Sequence, residues 1–332
     1  MKNRQWLLAR RPQGAIQDSD FNFVETDVPT LGEHEVLVRN LVLSCDPTQR
    51  GWIARDTYLP AVKIGEVVRS IGAGRIVASN NPGLSVGDIV SGLTGWQEYV
   101  AINPKGQLNK LPPGAPLELA MSVLGLTGIT AYFGLMEIGR PVAGETVVVS
   151  GAAGATGSVV GQIAKIKGCR VVGIAGGAEK CRWLTEEAGF DAAIDYKSED
   201  VQARLKALCP KGIDAFFDNV GGDTLDAALA QLAMRGRIVL CGGIANYNAT
   251  EMPPGPKNYL NLIVQRGRME GFIVTDFMPR AAEAIGALAG WVQAGKLKNK
   301  VDVQRGLENA PATLRRLFEG RNEGKQLLRI AE

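Results

Sequence analysis

Val147-Val148-Val149-Ser150-Gly151-Ala152-Ala153-Gly154-Ala155-Thr156-Gly157 runs without a break into Ser158-Val159-Val160-Gly161-Gln162-Ile163-Ala164-Lys165. It reads as a β-branched strand, a glycine-rich turn and an apolar helix. A strand that turns through glycines into a helix presents backbone N–H groups at the helix start, where the aligned peptide dipoles add partial positive charge. That arrangement suits a pyrophosphate and points to dinucleotide binding at Gly154, Ala155, Thr156 and Gly157. The spacing is GxxGxxG rather than GxGxxG, and glycines in such a turn can also serve close packing alone, so both readings stand on the turn itself.

The next apolar run, Arg170 to Ala175, ends where a Rossmann unit places its ribose-reading residue. An NAD site carries Asp or Glu there. This chain has Gly176-Gly177-Ala178-Glu179-Lys180-Cys181 instead. The glycines leave room, Lys180 can pair with a 2′-phosphate, and Glu179 suits the start of a helix. The alternative for Lys180 is a solvated helix lysine.

Outward from this unit, Val171-Val172-Gly173-Ile174, Ala192-Ala193-Ile194, Ala215-Phe216-Phe217 and Arg237-Ile238-Val239-Leu240 alternate with helical stretches up to about Gly271. Short continuous apolar runs of this kind are strands buried on both faces, and the alternation predicts a parallel sheet flanked by helices. A helix is expected from Ala281 to Gly295. Before Lys110 the texture is different. Glu35-Val36-Leu37-Val38, Gly74-Arg75-Ile76-Val77, Asp88-Ile89-Val90 and Gln97-Glu98-Tyr99-Val100 are short β-like runs broken by Pro and Gly. The expected class is α/β, with a β-rich domain over 1–125, a doubly wound parallel-sheet domain over 126–299, and a tail strand within 300–332 returning to the first.

The 332 residues, 45% hydrophobic and 21% charged, suffice for two domains with sizeable cores. A net charge of +3 without long runs of like charge argues against nucleic acid or anionic membrane as partner. No run of about 18 apolar residues occurs, and Met1-Lys2-Asn3-Arg4-Gln5-Trp6 does not open a signal peptide, so neither export nor membrane spanning is expected. Cys45, Cys169, Cys181, Cys209 and Cys241 form no CxxC pair and fit reduced thiols in a cytoplasm.

Metal and nucleophile chemistry both lack donors. His34, the only histidine, lies in the polar turn Leu31-Gly32-Glu33-His34-Glu35, and Ile64-Gly65-Glu66 supplies no histidine to join Cys45 as a zinc ligand. No metal is therefore expected, and no Ser-His-Asp or Cys-His arrangement. The carboxylate pairs Glu186-Glu187 and Glu199-Asp200 read as solvated faces.

Four segments in order resemble the zinc-free medium-chain dehydrogenase/reductase superfamily. They are Ala152 to Gly157, Ala178-Glu179-Lys180-Cys181, Phe217-Asp218-Asn219-Val220-Gly221-Gly222 and Cys241-Gly242-Gly243-Ile244-Ala245-Asn246-Tyr247-Asn248. Within it they are similar to the branch of leukotriene B4 12-hydroxydehydrogenases, prostaglandin reductases, alkenal double-bond reductases and bacterial NADPH-dependent curcumin reductases. The resemblance implies a GroES-like first domain, a Rossmann second domain, NADPH as cofactor and a homodimer. It also implies that Lys180 and Tyr196 hold the 2′-phosphate. Asn219, the stretch Cys241, Gly242, Gly243, Ile244, Ala245, Asn246 and Tyr247, then Phe272, Ile273 and Val274, and Asn322 would line adenosine, ribose and nicotinamide. The family segment Asp-Pro-Tyr-Met-Arg stands here as Asp46-Pro47-Thr48-Gln49-Arg50, so a substrate-side tyrosine is missing at position 48, and Tyr58 is the nearest replacement.

Without a metal, an enone is a better hydride acceptor than a simple ketone, because charge spreads into an enolate. Tyr247, placed beyond the strand that ends at Cys241, is the expected catalytic hydroxyl, with packing as its alternative role. Trp52, Ile53, Tyr58, Met121, Phe277 and Met278 are candidates for a pocket or for plain core. A quinone substrate and a non-catalytic NADPH sensor remain alternatives, and a homodimer would pair through Gly271-Phe272-Ile273-Val274 as an edge strand. Lys180→Ala is expected to raise KM for NADPH by roughly 10- to 150-fold and to leave KM for NADH nearly unchanged. Steady-state kinetics with the two cofactors checks this, and equal effects on both would refute the phosphate contact.

Overall fold

A computed structural model of the chain describes residues 1–331. They form two compact units, Met1–Met121 with the segment from Val301 onward, and Ser122–Lys300.

In the first unit, β1 (Lys2–Leu8) and β2 (Phe21–Asp27) pair antiparallel as a separate ribbon. β3 (Val36–Ser44), β4 (Ile71–Ser79), β5 (Ile89–Leu93), β6 (Tyr99–Ile102) and β7 (Leu108–Lys110) build the larger sheet. β3 shows why it is central. Its first half alternates, with Val36 and Val38 buried and Arg39 exposed, and from Asn40 on every residue is buried. It meets β4 and β6 antiparallel, with breaks in register against β4 at Leu37/Val38 and Asn40/Val42. A Cβ on Gly74 would stand 2.4 Å from the Arg39 carbonyl oxygen, so only glycine lets the two backbones approach there.

The second unit carries six parallel strands: β8 (Thr146–Ser150), β9 (Arg170–Ala175), β10 (Ala192–Asp195), β11 (Ile213–Asp218), β12 (Leu232–Leu240) and β13 (Arg268–Gly271). Their order is β10-β9-β8-β11-β12-β13, the doubly wound arrangement of a Rossmann sheet. Val147, Val148 and Val149 are fully buried, as the unbroken apolar run predicts for a strand covered on both faces. The helix Ala281–Gln293 forms close to its expected bounds.

The edge of this sheet differs from expectation. The strand ends at Gly271, so of Gly271-Phe272-Ile273-Val274 only the first residue belongs to it. Phe272 leaves the strand because its ring packs edge-on against Phe217, 6.4 Å away, and Phe277, 6.3 Å away. Gly134 makes room for it, since a Cβ there would lie 2.5 Å from the ring.

β14 (Val301–Arg305) and β15 (Lys325–Arg329) belong to the first unit; they run parallel to each other, and β15 pairs antiparallel with β3, Leu328 opposite Leu43. The expected tail strand is thus β15. The first passage between units lies at Met121/Ser122, four residues before the position suggested by the change of texture, because Met121 packs with Leu41, Val42, Ala73 and Leu327. The second lies at Lys300/Val301. Among the described residues no helix is long and apolar enough to cross a membrane.

Lys325 anchors β15. Its side chain is 2% exposed, and Nζ donates to the Cys45 carbonyl at 3.0 Å and to Asp46 Oδ1 at 2.6 Å. Lys325→Met keeps the stem and strands the Asp46 carboxylate, so the unfolding free energy in urea is expected to fall by about 3 kcal/mol. A loss below about 1 kcal/mol would show that Asp46 does not depend on its partner.

Candidate functional site

In an open parallel sheet, ligands bind beyond the carboxyl ends of the strands where the chain order reverses. Here that point lies between β8 and β11, at Ser150 and Asp218. Gly151 takes a left-handed φ of 57°, Gly154 N–H donates to the Gly151 carbonyl at 2.9 Å, and the helix Ala155–Ile166 begins with Gly154 as its N-cap. A Cβ on Gly157 would fall 2.4 Å from the same Gly151 oxygen. This glycine therefore serves close packing of helix on turn, and the first N–H groups of the helix are left without intrahelical acceptors. Of the two sequence readings of the turn, close packing is what Gly157 displays here.

Asp218, fully buried, latches the two strand ends. Ser150 Oγ donates to its carboxylate at 2.7 Å, and the N–H groups of Val220 and Gly221 donate at 3.0 Å. Burial pushes the carboxyl above its ordinary pKa, and these donors act against that shift. Asn219 completes the latch: its N–H donates to Ser150 Oγ at 2.8 Å and its Nδ2 to the Ser150 carbonyl at 2.7 Å. The loop after β12 lies on the loop after β11. Cys241 and Gly242 donate N–H to the Asp218 carbonyl, Ile244 to that of Asn219, and Ala245 to that of Val220. Burial, with the nearby Asp218 carboxylate, pushes the Cys241 thiol up to about 12, so it stays protonated at neutral pH.

Tyr247 follows the short turn Ile244–Asn246 and curls back, its hydroxyl oxygen accepting the Gly243 N–H at 3.2 Å. Gly154, Ala155, Thr156, Gly157, Asn219 and the stretch Cys241–Tyr247 are thus gathered around the carboxyl ends of β8, β11 and β12.

The ends of β9 and β10 form the neighbouring corner. The Tyr196 ring lies over Gly176, where any Cβ would come within 2.8 Å of it. Gly177, with φ 100°, starts the helix Ala178–Glu186, which carries Lys180 in its first turn and leaves Glu179 exposed beside it. Sequence reasoning missed the acid that does sit in this corner, Asp195. Its carboxylate accepts N–H groups from Gly177 at 2.7 Å and Lys197 at 3.0 Å and the Ser198 hydroxyl at 2.9 Å. These donors, the Gly177 N–H foremost, hold its pKa below the usual carboxylate range.

Other candidates have different surroundings. Phe272 is taken up in ring packing, followed by the half-buried Ile273 and Val274, and Phe277 stacks on Phe133 at 4.9 Å. Asn322 belongs to the first unit, where Nδ2 donates to the Gly324 carbonyl at 2.8 Å ahead of β15. Also in the first unit, the Tyr58 hydroxyl lies 3.0 Å from Thr48 Oγ1 and its ring meets the buried Trp52 edge-on at 6.3 Å. The Tyr58 ring thus stands next to the position where the family tyrosine is missing.

Residues 4–111 match the family described as the N-terminal domain of oxidoreductase, and residues 155–289 match the one described as zinc-binding dehydrogenase. The chain is 44% identical to the NADPH-dependent curcumin reductase of Escherichia coli, over 99% of this chain and 97% of that protein. It is 40% identical to the NADP-dependent 2-alkenal reductase of Nicotiana tabacum, over 100% and 98%. The crystal structure of CurA from Vibrio vulnificus in complex with NADPH superposes with a TM-score of 0.94 at 40% identity, covering 99% of both chains. This chain belongs to the medium-chain dehydrogenase/reductase family. Its place is in the branch of curcumin, alkenal and prostaglandin reductases. The zinc of the family description does not fit this chain's donors: His34 sits exposed in its turn, Cys45 is buried in the core, and among the described residues no group of three His, Cys, Asp or Glu could hold a metal.

Gly157→Ala is expected to cost about 1–3 kcal/mol in urea unfolding, because the clashing atoms are backbone and cannot swing away. Gly154→Ala, whose Cβ would stand 3.1 Å from the Gly151 oxygen, should cost clearly less. Equal stabilities for the two variants would contradict this packing of the turn.

Proposed function

We propose that the chain reduces the carbon–carbon double bond of α,β-unsaturated ketones and aldehydes with NADPH. The observation that carries this is full-length similarity to NADPH-dependent double-bond reductases together with a β9–β10 corner that offers glycines, Lys180 and Tyr196. NADPH, when bound, supplies the hydride that the β-carbon of the enone accepts. In this reading the Gly154–Gly157 turn faces the pyrophosphate and Lys180 and Tyr196 hold the 2′-phosphate. Asn219, Cys241–Tyr247, Phe272–Val274 and Asn322 surround the ribose and nicotinamide, and Trp52 and Tyr58 meet the substrate.

Tyr247 orients the enone oxygen. As the β-carbon is reduced, the π pair of the double bond moves toward that oxygen, and the O–H of Tyr247 stabilises the charge that collects there. The Gly243 N–H on the phenolic oxygen polarises the O–H and makes it a stronger donor. A proton from water or a tyrosine then completes the α-carbon. The reading includes a cytoplasmic setting for five free thiols, and a homodimer paired along the open edge of β13, tested by sedimentation.

Tyr247→Phe is expected to lower kcat on an enone by about 100-fold without changing KM for NADPH. Unchanged turnover would remove Tyr247 from the chemistry. NADPH oxidation should depend on the enone, survive a chelator and fail with the saturated ketone. Oxidation with a quinone alone, or tight NADPH binding without turnover, would overturn the assignment.

A further inference from the structure

Three arginines of the second unit hold the left-handed backbone conformation that favours glycine: Arg140 at φ 46°, Arg235 at φ 61° and Arg266 at φ 49°. Among the described residues His34 is the only other non-glycine residue with positive φ. All three arginines are exposed and line one open cleft of about 610 Å³, together with Arg237, Arg268 and Glu145. The cavity lies near the starts of β8 and β13, at the opposite ends of the parallel strands from the glycine turn.

Its charges are unbalanced. Glu145, the one acid in the lining, is taken up by Arg237, whose Nη1 and Nη2 donate to the two carboxylate oxygens at 2.8 and 2.5 Å. Arg237 is further tied by Nε to the Gly139 carbonyl at 2.9 Å. Arg268 donates to the Ile138 carbonyl, its Nε is buried without a hydrogen-bond partner, and the nearest carboxylate, that of Glu270, stands 3.9 Å away. Arg140 and Arg266 bond the carbonyls of Glu137 and Val264, and among the described residues no carboxylate pairs with Arg140, Arg235 or Arg266. Four guanidinium groups thus share a cavity without a counter-charge in hydrogen-bonding contact. Like charges so gathered repel, and glycine at positions 140, 235 and 266 would relieve backbone strain and repulsion together.

We propose that this cavity binds a small anion carrying two or more phosphate groups. Guanidinium forks match phosphate oxygens in pairs, and an open cleft admits a highly charged anion that keeps part of its hydration. The phosphates supply the missing counter-charge, and holding them accounts for arginine at positions where the backbone favours glycine. The inference is independent of the NADPH reading, because the two sites lie at opposite ends of the sheet.

The test is calorimetric titration of the full chain with inorganic tripolyphosphate, with and without NADPH, beside thermal melts. Saturable binding is expected in both conditions and in Lys180→Ala, with Kd raised at least tenfold in Arg140→Gly and in Arg235→Gly. Without the anion the two glycine variants should melt no lower than the parent, which shows that they fold. Binding lost with NADPH or in Lys180→Ala would place the anion in the dinucleotide turn and overturn the proposal. An equal response to sulfate at matched ionic strength would reduce it to screening. A change of oligomeric state in the glycine variants would make the cleft a self-association surface, also against the proposal.

Discussion

The second unit depends on one buried carboxylate. Asp218 is enclosed at the point where the sheet order reverses, and an ionised group there is tolerated only with donors on its oxygens. The Ser150 hydroxyl at the end of β8 and the N–H groups of Val220 and Gly221 in the turn after β11 provide them. By satisfying one buried carboxyl group the chain orients the end of β8, the turn after β11 and, through the Asp218 carbonyl, the loop from Cys241 to Tyr247. Backbone ordered in this way leaves little ordering to be done when a ligand binds.

Glycines around that latch have different tasks, which the spacing alone does not separate. Gly157 permits a close approach of helix and turn, Gly176 leaves space for the Tyr196 ring, and Gly177 supplies a φ that a side chain resists. A comparable division holds for charge. Asp195 is held ionised by donors at the β9–β10 corner, while Glu179, the acid that stands nearer the lysine in sequence, is solvent-facing at a helix start. The first unit has its own buried pair, Lys325 on Asp46, which ties the last strand of the chain to the end of β3.

Much of the fold was legible from the chain alone. Val147–Val149 and the four apolar runs after it read as buried strands, and their alternation with helices left a parallel sheet as the economical arrangement; β10, at the sheet edge, is half-buried at Ala192 and Ala193. The ribbon of β1 and β2 was not legible, because Lys2-Asn3-Arg4-Gln5 carries almost no apolar pattern. What makes β1 a strand is its pairing with β2 and the hydrogen bonds of Asn3 and Arg4 to Tyr99 and Glu98. The edge strand was expected at Gly271–Val274 from the edge-to-edge dimers that the family resemblance implies. The polar Arg268–Gly271 forms it instead, because a ring as large as Phe272 gains more from packing on Phe217 than from an exposed edge.

By itself, the sequence determined the strand–turn–helix unit, the doubly wound class, the lack of a zinc donor set and the family motifs, because each rests on residue type and short-range spacing. Only the tertiary structure decided which acid the site buries, where the Tyr247 hydroxyl points, and that Arg140, Arg235, Arg237, Arg266 and Arg268 share one cavity. Ser150 meets Asp218 across 68 positions of sequence, and the arginine cluster draws on segments from Arg140 to Arg268. Such distances are set by the packing of whole strands and helices, and no local pattern in the chain records them.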